Sequence, residues 1–214
     1  MIEEQVDIFD CDYNHLGVVT KKLAHRLGLW HQSFHCWIFN PETNKLLIQL
    51  RSKDKSTHPN LLDISAAGHI SAGENIIDGM RELEEELNLF VDENKLIYAG
   101  YWKQATNLGK VGDPNYKNRE FCHTYFLFEK DKKLSDYKIQ EEELDGLFEV
   151  ELNDLKDLFL KNKQTIIIEG FTKDNGYGYK WEVSLSNFVD RGNIWLKAIN
   201  IIEDIKNSRK NVFI

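Results

Sequence analysis

Short apolar runs separated by turn residues dominate the chain, and helical spacing of apolar positions recurs in only three stretches. The runs at 6–9 and 18–22 predict two short strands around the turn-rich "DCDYNHLG". In "HCWIFNPETNKLLIQLR" two apolar runs flank a turn at 41–44, the pattern of a hairpin. "LIYAGYW" and "FCHTYFLFE" add two aromatic-rich strands. "LFEVELNDLKDLFL" reads as a strand passing into a short helix, with Asn153 placed to cap it. A second hairpin is predicted in "TIIIEGFTKDNGYGYKWEVSL", turning at Asp174, Asn175 and Gly176. Ile194, Leu196, Ile199, Ile201 and Ile202 then recur at roughly helical spacing before a basic tail. Strands outnumber helices, and several adjoin without room for a crossover helix. The expectation is an α+β fold around a mixed or antiparallel sheet.

The third helical stretch lies in "GHISAGENIIDGMRELEEELNL". Asn75 is placed to cap a helix, with Asp78 favourably set against its dipole. Met80, Leu83 and Leu87 are spaced by three and four, which makes a buried stripe. Glu82, Glu85 and Glu86 have the same kind of spacing, so their carboxylates share another face. On a bare helix such like charges cost about 0.2–0.5 kcal/mol per pair. A divalent cation turns that repulsion into ligation, since Mg²⁺ favours carboxylate oxygens, water and phosphate. Gly68 and Gly73 supply a tight loop upstream. Taken alone, "RELEEEL" also fits a solvated acidic helix balanced by Arg81, and both readings stand at this point.

The whole segment resembles the signature of the Nudix hydrolases, G-x5-E-x7-R-E-U-x-E-E-x-G-U with U a bulky aliphatic residue. Gly68, Glu74, Arg81, Glu82, Leu83, Glu85, Glu86 and Leu89 match its residue types. The resemblance implies a loop–helix–loop on an α/β/α sandwich with a mixed sheet. It implies Mg²⁺, or Mn²⁺, held by Glu82, Glu85 and Glu86. It also implies cleavage of a diphosphate linkage in a nucleotide or nucleoside-diphosphate conjugate, with Glu85, Glu86, Arg81 and Glu143 in catalytic roles. Arg81 would orient the loop through Glu74, and a carboxylate of "IQEEELDG", Glu142 or Glu143, would collect the water proton. Two departures stand out. Six residues separate Glu74 from Arg81 where the signature has seven, and Asn88 stands where it has glycine. Asn tolerates the left-handed conformation well, so the deletion is the larger change. It is expected to be absorbed at the entry to the helix, with Ile76 or Ile77 packed beneath the loop.

The likeness extends from about residue 5 to 159 and is similar to the branch of isopentenyl-diphosphate isomerases at His31, His69 and Glu120. These three are candidate substrate contacts. His25 and His35 read as structural, and Cys122 as strand core. Ala67 stands where the isomerases carry a cysteine, and Asn118 where they carry a metal-binding glutamate. The resemblance therefore implies hydrolysis, with prenyl-diphosphate isomerisation and a nucleotide-sensing module as the alternatives. Trp30, Trp102 and the strands at 34–39 and 121–128 offer an apolar wall for a leaving group.

Composition narrows the partners. A formal net charge of -8 opposes binding to a nucleic-acid backbone or an anionic membrane. The three cysteines are too scattered for a disulfide framework, and no apolar stretch approaches membrane-spanning length. The expectation is a cytoplasmic protein acting on a small diphosphate, with a homodimer allowed. Residues 1–214 are expected to form a single Nudix domain: an N-terminal hairpin extension at 1–30, a core at 31–160, and a C-terminal hairpin and helix at 161–214.

Overall fold

The computed structural model describes residues 3–106, 115–209 and 212–214. Strands β1 (Gln5–Phe9) and β2 (His15–Thr20) pair antiparallel as a separate hairpin, followed by helix α1 (Lys21–Leu27). The strand expected at 18–22 stops at Thr20, because Thr20 Oγ1 accepts from the Leu23 amide at 3.3 Å and caps α1.

Strands β3 (His31–Asn40) and β4 (Lys45–Arg51) form the expected hairpin. The short strands β5 (Leu62–Asp63) and β6 (Ala66–His69) then lead to helix α2 (Arg81–Leu87). After it come β7 (Leu96–Thr106), β8 (Asn118–Phe128), β9 (Leu144–Glu151), helix α3 (Leu152–Phe159), β10 (Ile166–Thr172), β11 (Tyr179–Val183) and helix α4 (Ile194–Lys206). The main sheet runs β11-β10-β9-β4-β3-β8-β7, with β5 on β4 and β6 on β3. β3 and β8 are parallel and the other pairs antiparallel, so the sheet is mixed and the class α+β, as expected. Asn153 does not cap α3. β9 stays paired with β4 through Glu151, opposite Lys45, and the chain turns directly into the helix at Leu152.

Each face of the sheet has its own core, because alternate strand residues point to opposite sides. Trp37, Phe39, Leu46, Ile48, Phe126 and Phe148 pack with Trp195, Ile199 and Ile202 of α4. Phe34, Cys36, Ile38, Leu47 and Leu127 pack with Leu83 and Leu87 of α2. Each of these large side chains contributes about 1.5–3 kcal/mol when fully buried. The parallel pairing of β3 with β8 sets His31 opposite Glu120, and the β3–β6 pairing sets Ser33 opposite His69. Residues 89 positions apart, His31 and Glu120, thereby meet at one end of the sheet.

Candidate active site

Arg81 closes the loop between β6 and α2. Its Nε donates to Glu74 Oε1 at 3.2 Å, and Nη1 donates to Glu82 Oε1 at 2.6 Å and Glu85 Oε2 at 3.2 Å. Nη2 donates to the His69 carbonyl at 2.8 Å. Glu74 Oε2 in turn accepts from the Ser71 amide at 2.8 Å. One guanidinium thus ties three carboxylates to the strand that leads into the loop.

The missing residue is absorbed just before α2. Ile76–Met80 form a 3-10 turn, started by Asp78 Oδ2 accepting from the Asn75 amide at 2.7 Å. A 3-10 turn rises more per residue than an α-helix, so its five residues reach about 2.5 Å further. Ile76 and Ile77 pack against the core beneath it, as expected. At the far end Asn88 takes φ 51 and ψ 39, with its amide bonded to the Glu84 carbonyl at 2.9 Å. It fills the left-handed cap that the signature reserves for glycine. Gly68 leaves room for the Glu82 carboxylate in its present position. A Cβ there would lie 2.0–2.2 Å from the Glu82 carboxylate.

Burial pushes Glu82 up to about 7 despite the pull of Arg81. Burial and the neighbouring Glu82 push Glu86 up to about 8. The hydrogen-bond donors to Glu86 are neutral: the Ala67 amide at 3.2 Å and Gln49 Nε2 at 3.4 Å. A buried carboxylate held this way suits a dication. The three helix glutamates have different partners. Glu82 and Glu85 lean onto Arg81, while Glu86 turns inward to β6. Glu143 pairs with Lys55, and its charge contributes to raising Glu86. Its loop docks on the end of α2 through the Gln140 amide, 3.0 Å from the Glu86 carbonyl.

Because strand residues alternate, His69 points away from Glu82 and into a second cluster. Ligand nitrogens of His25, His31 and His69 lie within 4.8 Å of one another. Glu120 Oε1 is 3.3 Å from His69 Nε2 and 3.8 Å from His31 Nε2. Burial, with His69 and His31 nearby, lowers His25 to about 3, and burial with His69 nearby lowers His31 to about 4. Burial works against the Glu120 carboxylate, but the approach of His69 at 3.3 Å holds it well below the usual range. At neutral pH His31 is therefore uncharged. Its Nδ1 lies 2.9 Å from the Leu29 carbonyl, which only accepts, so Nδ1 carries the proton. Its buried Nε2 is then a lone pair without a hydrogen-bond partner, facing a carboxylate. Such an atom offers a lone pair to a cation rather than charge to a phosphate.

Beside this cluster, Arg191 clamps buried Asp63 through Nε at 2.6 Å and Nη2 at 2.7 Å, and donates to Gln104 Oε1 at 3.2 Å.

A family model of the NUDIX domain matches residues 29–170. The chain belongs to the Nudix family. An uncharacterized Nudix hydrolase of Clostridium acetobutylicum is 40% identical over 184 residues, covering 84% of this chain and 86% of that protein. An isopentenyl-diphosphate Delta-isomerase of Rhizobium rhizogenes, also similar, is 38% identical over 99 residues, 44% of this chain and 47% of the isomerase. A crystal structure from Deinococcus radiodurans shares the fold, with a TM-score of 0.54 at 22% identity, covering 75% of this chain and 91% of that one.

In Nudix terms the expected residues occupy two places. Arg81, Glu74, Glu82, Glu85, Glu86 and Glu143 gather around α2, while His31, His69 and Glu120 gather on the other side of β6. Sequence reasoning read His25 as structural, and the fold sets it within ligand distance of the other two histidines. Its helix, α1, was not foreseen, and nothing local in "LAHRLGLWH" signals that its imidazole folds back toward β6. Of the expected apolar wall, Trp30 lies on Phe121 with ring centroids 5.0 Å apart, and Trp102 approaches His35 at 6.0 Å.

Proposed function

We propose that this protein is a divalent-metal-dependent hydrolase that cleaves a diphosphate linkage in a nucleotide or nucleoside-diphosphate conjugate. The observation that carries this reading is the Arg81 clamp, which keeps Glu74, Glu82 and Glu85 together although the loop is one residue short.

Glu82, Glu85 and Glu86 are the residues that would hold Mg²⁺ or Mn²⁺, and the buried position of Glu86, with neutral hydrogen-bond donors, fits that role. The bound ion supplies neutralisation of phosphate charge and a water of lowered pKa. Arg81 positions the loop, and its contacts to Glu82 and Glu85 are those that ion binding would replace in part. Glu143, beside Glu86 and charge-paired with Lys55, is the proton acceptor in this reading. The imidazoles of His31 and His69, with Glu120, border the site across β6 and hold the non-hydrolysed side of the substrate or a second cation.

One observation favours a second reading. The His25–His31–His69–Glu120 cluster, together with the likeness to an isopentenyl-diphosphate isomerase, suits proton transfer on a prenyl diphosphate. Against it, Ala67 offers no acid or base where the isomerases carry a thiol. Phosphate release from a panel of nucleoside diphosphates and their conjugates, with and without Mg²⁺, separates the two. Metal-dependent cleavage of at least one supports hydrolysis. Isomerisation of isopentenyl diphosphate without cleavage of any panel member would overturn it.

A further inference from the structure

The Glu120 carboxylate has two sides. While Oε1 faces His69 and His31, Oε2 lies 3.8 Å from Cys122 Sγ. A ring nitrogen of His35, a Glu120 oxygen and Cys122 Sγ all lie within 4.8 Å of one another. The three residues are 3%, 7% and 0% exposed. Neither His35 nor Cys122 has a part in the hydrolysis described above. We propose that His35, Cys122 and Glu120 form a thiolate-containing zinc site, joined through the Glu120 carboxylate to the histidine cluster.

Three features carry the proposal. The first is distance. Tetrahedral zinc with bonds of about 2.3 Å to sulfur and about 2.0 Å to oxygen separates those two ligands by about 3.5 Å, close to the 3.8 Å between Cys122 Sγ and Glu120 Oε2. The second is charge. Thiolate and carboxylate together balance one dication, whereas the nearby cation Arg191 is already committed to Asp63 at 2.6 and 2.7 Å. On binding, the Cys122 thiol proton leaves to solvent and the sulfur–metal bond takes its place. The third is ligand demand. Apolar side chains would fill a strand interior without the desolvation cost of a histidine, a carboxylate and a thiol. The ring nitrogens of His35 find one hydrogen-bond partner between them, Ser33 Oγ at 3.3 Å, and Nδ1 is buried with none.

The donor set also selects the metal. Thiolate and imidazole favour zinc over magnesium, so this position is chemically distinct from the carboxylates of α2. Gln104 Oε1 accepts from Arg191 at 3.2 Å and keeps a second lone pair, 3.8 Å from Cys122 Sγ, for a fourth position. A carboxylate bridging two such positions would set the ions about 3.5–4 Å apart and fix Oε1 toward His31 and His69.

Cobalt(II) titration of chelator-treated protein tests the site, because a cysteine ligand produces a near-ultraviolet thiolate-to-cobalt charge-transfer band. The wild-type protein is expected to show that band at saturation, Cys122→Ser to lose it, and Cys36→Ser to keep it. Cys36 is buried in the core on the other face of the sheet, and Cys11 is exposed. Cobalt uptake without the band, no uptake, or a band that survives Cys122→Ser would overturn the proposal. Zinc X-ray absorption on the wild-type protein needs no variant to fold. One sulfur neighbour at about 2.3 Å is expected, and a shell of nitrogen and oxygen only would overturn the site. Neither readout depends on hydrolysis, so an inactive protein with a thiolate–metal band would defeat the functional reading and leave the zinc site standing.

Discussion

The two sides of β6 solve the same problem, gathering ligands for a cation, in opposite ways. On the α2 side the carboxylates come from one segment of sequence and are restrained by an arginine of the same segment. On the other side, imidazoles from α1, β3 and β6 meet a carboxylate from β8, and burial keeps His25 and His31 neutral. One side gathers carboxylates and the other gathers imidazole lone pairs. The α2 side depends on local spacing, whereas the histidine side depends on sheet register.

Breaking the α2 side is expected to have the largest effect on activity. Glu86→Gln keeps shape and removes the carboxylate that would ligate the ion, and should lower kcat/KM by about a hundredfold or more. Calorimetry should show weaker Mn²⁺ binding while circular dichroism stays unchanged. If His31→Ala costs more activity than Glu86→Gln, the roles of the two sides are reversed.

The largest expected effect on stability lies next to the histidine side. Arg191→Met leaves Asp63, 1% exposed, without its bidentate partner. Loss of one member of a buried pair costs about 3–5 kcal/mol. Urea unfolding measures it. A loss under about 1 kcal/mol would mean that Arg51, 3.4 Å from Asp63, takes over.

The two sides should also respond oppositely to pH in metal-free protein. His35 is lowered to about 3 by burial and then Arg191, and His31 to about 4 by burial and then His69, both below the unfolded value of about 6.5. The unfolded chain then binds protons that the folded chain refuses, so stability falls as pH drops below about 6.5. Glu82 and Glu86 stand at about 7 and about 8, above their unfolded value of 4.5. Here the folded chain holds the extra protons, and stability falls as pH rises toward 8. Unfolding midpoints in chelator should therefore peak at mildly acidic pH, and Mg²⁺ should lift the alkaline limb alone. A flat profile would contradict both assignments.

The smallest effect is expected at Asn88. Asn88→Gly relaxes a left-handed residue at φ 51 and should change stability by less than about 1 kcal/mol. A larger change would show that the cap is strained.

The contrast explains what the sequence disclosed. The glutamate face, the Arg81–Glu74 contact and the mild character of Asn88 were legible because helix periodicity and capping are local. The mixed sheet followed from apolar runs and short connections. The three glutamates were expected to share one face; Arg81 draws Glu82 and Glu85 onto one nitrogen, while the Ala67 amide holds Glu86 inward. His25 was read as structural because its placement depends on α1 and on the β3–β6 and β3–β8 registers, and spacing along the chain encodes none of these. Cys122 looked like ordinary core, and only the fold sets it beside Glu120.

The central claim is that a signature one residue short still builds a working site, because the 3-10 turn at Ile76–Met80 makes up the length and Arg81 keeps its grip. The direct measurement is diphosphate cleavage, with saturating Mg²⁺, by the wild-type protein and by a variant with one residue inserted after Ile77. The wild-type protein is expected to turn over substrate, and the insertion, which gives the turn slack it does not need, to leave kcat/KM equal or lower. An inactive wild-type protein whose activity appears on insertion would contradict the account.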